Sequence, residues 1–102
     1  MNKHHFNVIL NDAVADEIQE AVNYYKEKQK SLGKRFYKAA KKTLKSLEND
    51  ALLFQVKYKN VRCVKVEKFP YLIHYKVNQK LNIVQVFAVI CTHKNPDENW
   101  VG

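Results

Sequence analysis

Cysteine, proline and glycine each occur only twice in this chain, and long apolar runs are missing altogether. Each scarcity excludes something. Cys63 and Cys91 sit in separate apolar segments without C-x-x-C spacing, so two buried, reduced thiols are expected and not a disulfide. His4 and His5 are adjacent but have no acidic or cysteine partner at ligand spacing, so no metal site and no cofactor are expected. No apolar stretch approaches the roughly 18 residues that a membrane span needs, and no signal peptide precedes Phe6. The expectation is a product that stays soluble in the cytoplasm and meets no membrane. Repeats, low-complexity tracts and linkers are also absent, so residues 1–102 read as one domain with a single core, and Asn95 to Gly102 as a loosely held tail.

Acidic residues are scarce over most of the length. Sixteen of the eighteen Lys and Arg lie between Lys28 and Asn95, against only Glu48, Asp50 and Glu67, within a net charge of +8. Such a field steers association with nucleic acid or an acidic peptide, although charge retained for solubility would look the same.

What is present is periodic. His4 to Leu10 (HHFNVIL) reads as a short first strand, stopped by Asn11-Asp12, which are good N-cap residues. Val14, Ile18, Ala21, Val22 and Tyr25 then share one helical face, with Asp16, Glu17 and Glu20 near the positive end of the helix dipole. The chain is expected to reverse at Ser31-Leu32-Gly33. A second helix, near Leu32 to Leu47, sets Leu32, Phe36, Ala40, Thr43, Leu44 and Leu47 on one side and Lys34, Lys38, Lys41 and Lys45 on the other.

From Phe54 the period changes to two. Phe54, Val56 and Tyr58 alternate with polar residues, as do Val64 and Val66, and as Tyr71, Ile73, Tyr75 and Val77 do with Leu72, His74 and Lys76. Ile83 to Cys91 is apolar on both faces apart from Gln85, which predicts a central strand covered on each side. Pro70 has no N–H for a ladder, so Phe69-Pro70-Tyr71 is a turn or strand start, and Asn78 to Asn82 a hairpin loop. The fold class is therefore α+β: an N-terminal strand and a helical hairpin packed on a mainly antiparallel sheet of about four to five strands.

That order, with Tyr24-Tyr25, Leu32-Gly33-x-x-Phe36, Val61-Arg62, Phe69-Pro70-Tyr71-x-Ile73-x-Tyr75 and a closing Lys94-Asn95-Pro96, resembles the RelE/ParE superfamily of type II toxins, over nearly the whole chain. The resemblance implies a growth-inhibiting toxin of a toxin-antitoxin system, silenced by a cognate antitoxin that wraps an acidic or amphipathic segment around it. Two targets follow from it. ParE-like members poison DNA gyrase, and RelE-like members cut mRNA in the ribosome as metal-independent endoribonucleases. The FPY-type subgroup is described as plasmid-stabilisation or ParE-like, which places gyrase first. A non-catalytic nucleic-acid-binding or degenerate toxin domain is the remaining alternative; it would display aromatics on an exposed sheet face, whereas Tyr71, Tyr75 and Phe87 share their alternation with core residues.

RNA cleavage without metal needs proton donors, proton acceptors and cations. The resemblance makes Arg62, at the Val-Arg position, a phosphate contact; otherwise it pairs with a carboxylate such as Glu67, Asp97 or Glu98. Lys65 and His93 complete the catalytic candidates, His93 standing two residues past Cys91, where related sequences carry histidine. Lys57, Lys59 and Lys94 are candidates for target binding. Tyr24, Tyr37, Lys34, Lys38, Lys41 and Lys45 on the hairpin are the expected antitoxin surface, which a second copy in a homodimer would also cover. His74 reads as a plain surface strand residue.

Overall fold

A computed structural model describes residues 5–92. The elements run β1 (Asn7–Leu10), α1 (Asp12–Lys28), α2 (Lys30–Asp50), a 3-10 turn (Ala51–Leu53), β2 (Val56–Tyr58), β3 (Val61–Lys65), β4 (Tyr71–Asn78) and β5 (Ile83–Cys91). They build a five-stranded sheet in the order β1-β5-β4-β3-β2. Only the β1/β5 pair is parallel; the helical hairpin and three strands separate its members, the long connection that a parallel pair requires. The expected α+β architecture is present.

Helix α1 buries Val14, Ile18 and Ala21, and Val22 and Tyr25 pack beside them, as the spacing predicts. Its start differs in detail. Asn11 has the extended backbone of an N-cap, but its side chain makes no cap bond. Its Oδ1 instead accepts from Gln85 Nε2, while its N–H donates to the Val86 carbonyl, so both groups fasten the helix to β5. Glu17 also reaches the sheet: its Oε1 accepts the Val89 N–H at 2.8 Å, where β1 has ended and β5 lacks a neighbouring strand.

The reversal between the helices corrects the expectation. It occurs at Gln29 alone (φ −163°, ψ 129°), and Ser31, Leu32 and Gly33 are already helical. One extended residue redirects the chain, so glycine is not needed at the turn. Gly33 is used for close packing: a Cβ there would lie 3.0 Å from Lys26 Cβ and 3.1 Å from the Val22 carbonyl oxygen. Helix α2 runs past the expected end to Asp50, burying Phe36, Ala40 and Leu47.

The core lies between the hairpin and one face of the sheet. Tyr25, Phe36, Phe69 and Tyr71 form its aromatic part, with ring centroids 5.0 to 6.2 Å apart and mostly edge-on. In β4, Ile73 and Tyr75 are fully buried and Tyr71 and Val77 half-buried on this face, while Leu72, His74 and Lys76 lie on the other.

Two strands depart from the predicted alternation. Phe54 lies outside β2, whose three residues are all exposed, so the alternation expected there buries neither face. In β5 the period breaks: Tyr75 pairs with Val86 but His74 with Ala88, a β-bulge that leaves Val86 and Val89 in the core and turns Phe87 and Ala88 away from it. The strand is apolar throughout because its inward set changes parity midway, and no described helix covers its second face. Neither cysteine is in a disulfide, but only Cys63 is buried; Cys91 is half-buried on the opposite side of the sheet. His4, His93, Lys94, the acids Asp97 and Glu98, and the tail from Asn95 lie outside the described residues.

Candidate functional site

The lysines divide between two surfaces. The first is on the hairpin, where the close approach at Gly33 leaves a groove of about 330 Å³ lined by Val22, Gly33 and Tyr37 and by Lys26, Lys30, Lys34 and Lys38. Its floor is apolar and its rim cationic. Tyr37 is 47% exposed, and the Lys41 ammonium stands 5.4 Å from its ring centroid. Lys34, Tyr37, Lys38 and Lys41 are thus brought together, and Lys45 continues the exposed stripe along α2. Tyr24 is not part of this groove. It lines a second cleft with Glu17, Glu20, Tyr71, Val89 and Cys91, its ring edge-on to Tyr25 and 5.0 Å from the Lys28 ammonium. Sequence reasoning missed Lys26 and Lys30 because they look like turn charges; their spacing of four from Val22 and Lys34 is the signal that would have found them.

The second surface is the sheet face away from the helices. Arg62 is not on it. Arg62 pairs with Tyr75 on the helix side, half-buried, and its Nη1 donates to the Phe54 carbonyl at 2.5 Å and the Leu52 carbonyl at 3.4 Å. The Tyr75 hydroxyl donates to the Ala51 carbonyl at 2.6 Å. Together the two side chains hold the segment that joins α2 to β2. Burial pushes the Tyr75 phenol up to about 12, with the Arg62 charge pulling the other way. Among the described residues it is backbone carbonyls that engage the guanidinium; Asp97 and Glu98, considered as partners from sequence, lie outside them.

Lys65 is exposed on the open face, its Nζ 3.4 Å from the Val66 carbonyl. Lys57 is exposed in β2, and Lys59 with Asn60 forms the two-residue turn to β3, both at positive φ (41° and 68°), as tight hairpin turns require. A register shift between Val56 and Tyr58 brings Lys57 and Tyr58 to the side of Cys63. Burial raises the Cys63 thiol pKa, opposed by the nearby Lys57 charge.

His74 is the centre of this face and not a plain surface residue. Its Nδ1 lies 3.0 Å from the Tyr58 hydroxyl and 3.5 Å from Cys63 Sγ, and its ring meets Phe87 edge-on at 6.3 Å. Burial lowers its pKa, with Glu17 acting in the opposite direction. No local pattern signals this cluster; it depends on register and on two bulges. Among the described residues no group of three or more His, Cys, Asp or Glu is placed to hold a metal, and no helix is long and apolar enough to cross a membrane.

The family model described as ParE toxin of type II toxin-antitoxin system, parDE, matches residues 8–96. The chain belongs to this ParE toxin family. Among solved structures, this ParE-family chain is similar to one described as "Chromosomal ParDE TA system from P. aeruginosa", with a TM-score of 0.70 at 14% identity. The match covers 88% of this chain and 99% of that one, a likeness of fold. No curated protein sequence matches it.

Proposed function

We propose that this ParE-family toxin arrests growth in the cytoplasm by acting on DNA gyrase, and that a cognate ParD antitoxin silences it by laying an acidic, amphipathic segment in the hairpin groove. The observation that carries the antitoxin part is the composition of that groove: an apolar floor at Val22, Gly33 and Tyr37 under four lysine ammoniums. An apolar anchor flanked by carboxylates satisfies both features, whereas a second copy of the chain would set lysine against lysine. Lys57, Lys59 and Lys94 are the proposed target contacts. Expression without the neighbouring gene product is expected to stop growth and induce a reporter of DNA breaks, and co-expression to restore growth. Lys34→Glu with Lys38→Glu should weaken antitoxin rescue while leaving unpartnered toxicity in place. Unimpaired growth in the absence of the antitoxin overturns the proposal.

A second reading, ribosome-dependent mRNA cleavage, is favoured by the 3.0 Å approach of the Tyr58 hydroxyl to His74, a pairing able to move protons, with Lys65 and His93 as the further candidates. Arg62 would then have to serve phosphate while holding the Phe54 carbonyl. Primer extension on translated mRNA separates the two readings, since only cleavage leaves discrete breaks within codons.

A further inference from the structure

The open face of the sheet has a composition that neither gyrase poisoning nor antitoxin capture explains. On it Tyr58 of β2 and half-buried His74 of β4 and Phe87 of β5 gather above the buried Cys63 of β3: Cys63, His74 and Ala88 are register partners, and Tyr58, opposite Val61, reaches His74 diagonally through its hydroxyl. At about 4.8 Å per strand the four strands span about 14 Å. Tyr58 is 46% exposed and Phe87 lies outside the main core. Two independent bulges, one in β2 and one in β5, are what deliver these rings to this side, and bulges commonly re-aim side chains at functional surfaces. Exposed Lys57, Lys65 and Lys76 flank the rings.

From this group of rings we infer that the open sheet face binds single-stranded DNA, bases stacking on Tyr58, His74 and Phe87 and phosphates meeting Lys57, Lys65 and Lys76. Aromatic platforms bordered by cations are how sheets take unpaired bases irrespective of sequence. The cationic border opposes a second copy of the chain, and the flat rings suit bases better than they suit a peptide. The apolar surroundings, Leu72, Ala88 and exposed Ile90, suit the thymine methyl group and a sugar without a 2′-hydroxyl. His74 Nδ1 faces Tyr58 and Cys63, and the Gln85 side-chain N–H is donated to Asn11 Oδ1. A duplex keeps its bases stacked inside and cannot use the rings.

This inference does not depend on gyrase being the target. The test is fluorescence anisotropy of the full-length protein with a labelled oligothymidylate, titrated over a range of salt. Binding is expected to weaken with salt, and Lys57→Gln and Lys65→Gln should each flatten the logarithmic slope by about 0.7. Lys42→Gln, on the helix side, should leave the slope unchanged. Tyr58→Ala is expected to weaken binding about fivefold or more, and Phe87→Leu, which keeps the apolar volume, should act in the same direction without altering the thermal midpoint. The inference is overturned by an absence of binding at low salt, by ring variants that bind like the parent, by tighter binding of the duplex or of oligouridylate, or by a polyglutamate peptide that displaces the DNA at equal charge.

Discussion

The two faces of one sheet obey different rules in this molecule. On the helix side Tyr75 and Arg62 have their polar atoms tied to the carbonyls of Ala51, Leu52 and Phe54, and Phe36 is enclosed by Tyr25, Phe69 and Tyr71. On the open side the His74 ring lies 6.0 Å from Tyr58 and 6.3 Å from Phe87, farther than the 5.0 to 5.5 Å around Phe36, with lysines at the border. The difference teaches that a cation's sequence neighbours do not reveal its task. Arg62 and Lys65 are three residues apart on one strand, yet one ties the backbone together and the other faces solvent.

The largest effect should come from the helix side. Phe36→Ala removes a fully buried ring from the aromatic cluster and is expected to cost about 3–5 kcal/mol in urea unfolding; a loss under about 1 kcal/mol would mean that the two faces are not so different. Next, Arg62→Ala leaves the Phe54 carbonyl without its guanidinium partner, a cost of about 1–3 kcal/mol, whereas Lys65→Ala should stay within about 0.5 kcal/mol of the parent. Any loss of toxicity in Arg62→Ala therefore has to be compared with its folded fraction, and equal stabilities for the two variants would break the contrast.

Gly33→Ala sharpens the comparison on the hairpin. The better helix propensity of alanine, worth up to about 1 kcal/mol, opposes overpacking against Lys26 and the Val22 carbonyl, which costs about 1–3 kcal/mol. A net loss of about 1 kcal/mol is expected in the same measurement, together with weaker antitoxin binding as the groove widens.

The smallest effect is a pH dependence. Burial holds the folded-state pKa of His74 below its ordinary value of 6.5, so the unfolded chain takes up the proton first. Stability should be unaffected well above pH 6.5 and should fall as the pH drops from 6.5 toward the folded-state pKa. His74→Gln should flatten that limb of a stability-against-pH curve; an identical curve would show that His74 is freely solvated.

Much of the framework was legible in the residues themselves. The period of 3.6 in Val14, Ile18, Ala21 and Tyr25, and the period of two in Tyr71, Ile73, Tyr75 and Val77, identified elements and their inward faces, because burial of one face imposes its period on the local sequence. The hairpin groove was half legible: the α2 lysines were visible as a stripe, but Lys26 and Lys30 join them only when Gly33 lets the helices close. The open-face cluster was not legible at all, and Phe87 was assigned to the wrong side by an alternation that the β5 bulge interrupts.

The sequence by itself determined which segments are helix and strand, where the core lies, and that the molecule carries a surplus of positive charge. Each of these depends on the spacing of residues within a few turns or pleats. Only the tertiary structure decided that β1 runs parallel to β5, that Arg62 faces the carbonyls of Leu52 and Phe54, and that Tyr58, His74 and Phe87 meet on an open face. Those outcomes depend on the register and bulges between segments far apart in the chain, and a one-residue shift in pairing moves a side chain from one face of the sheet to the other.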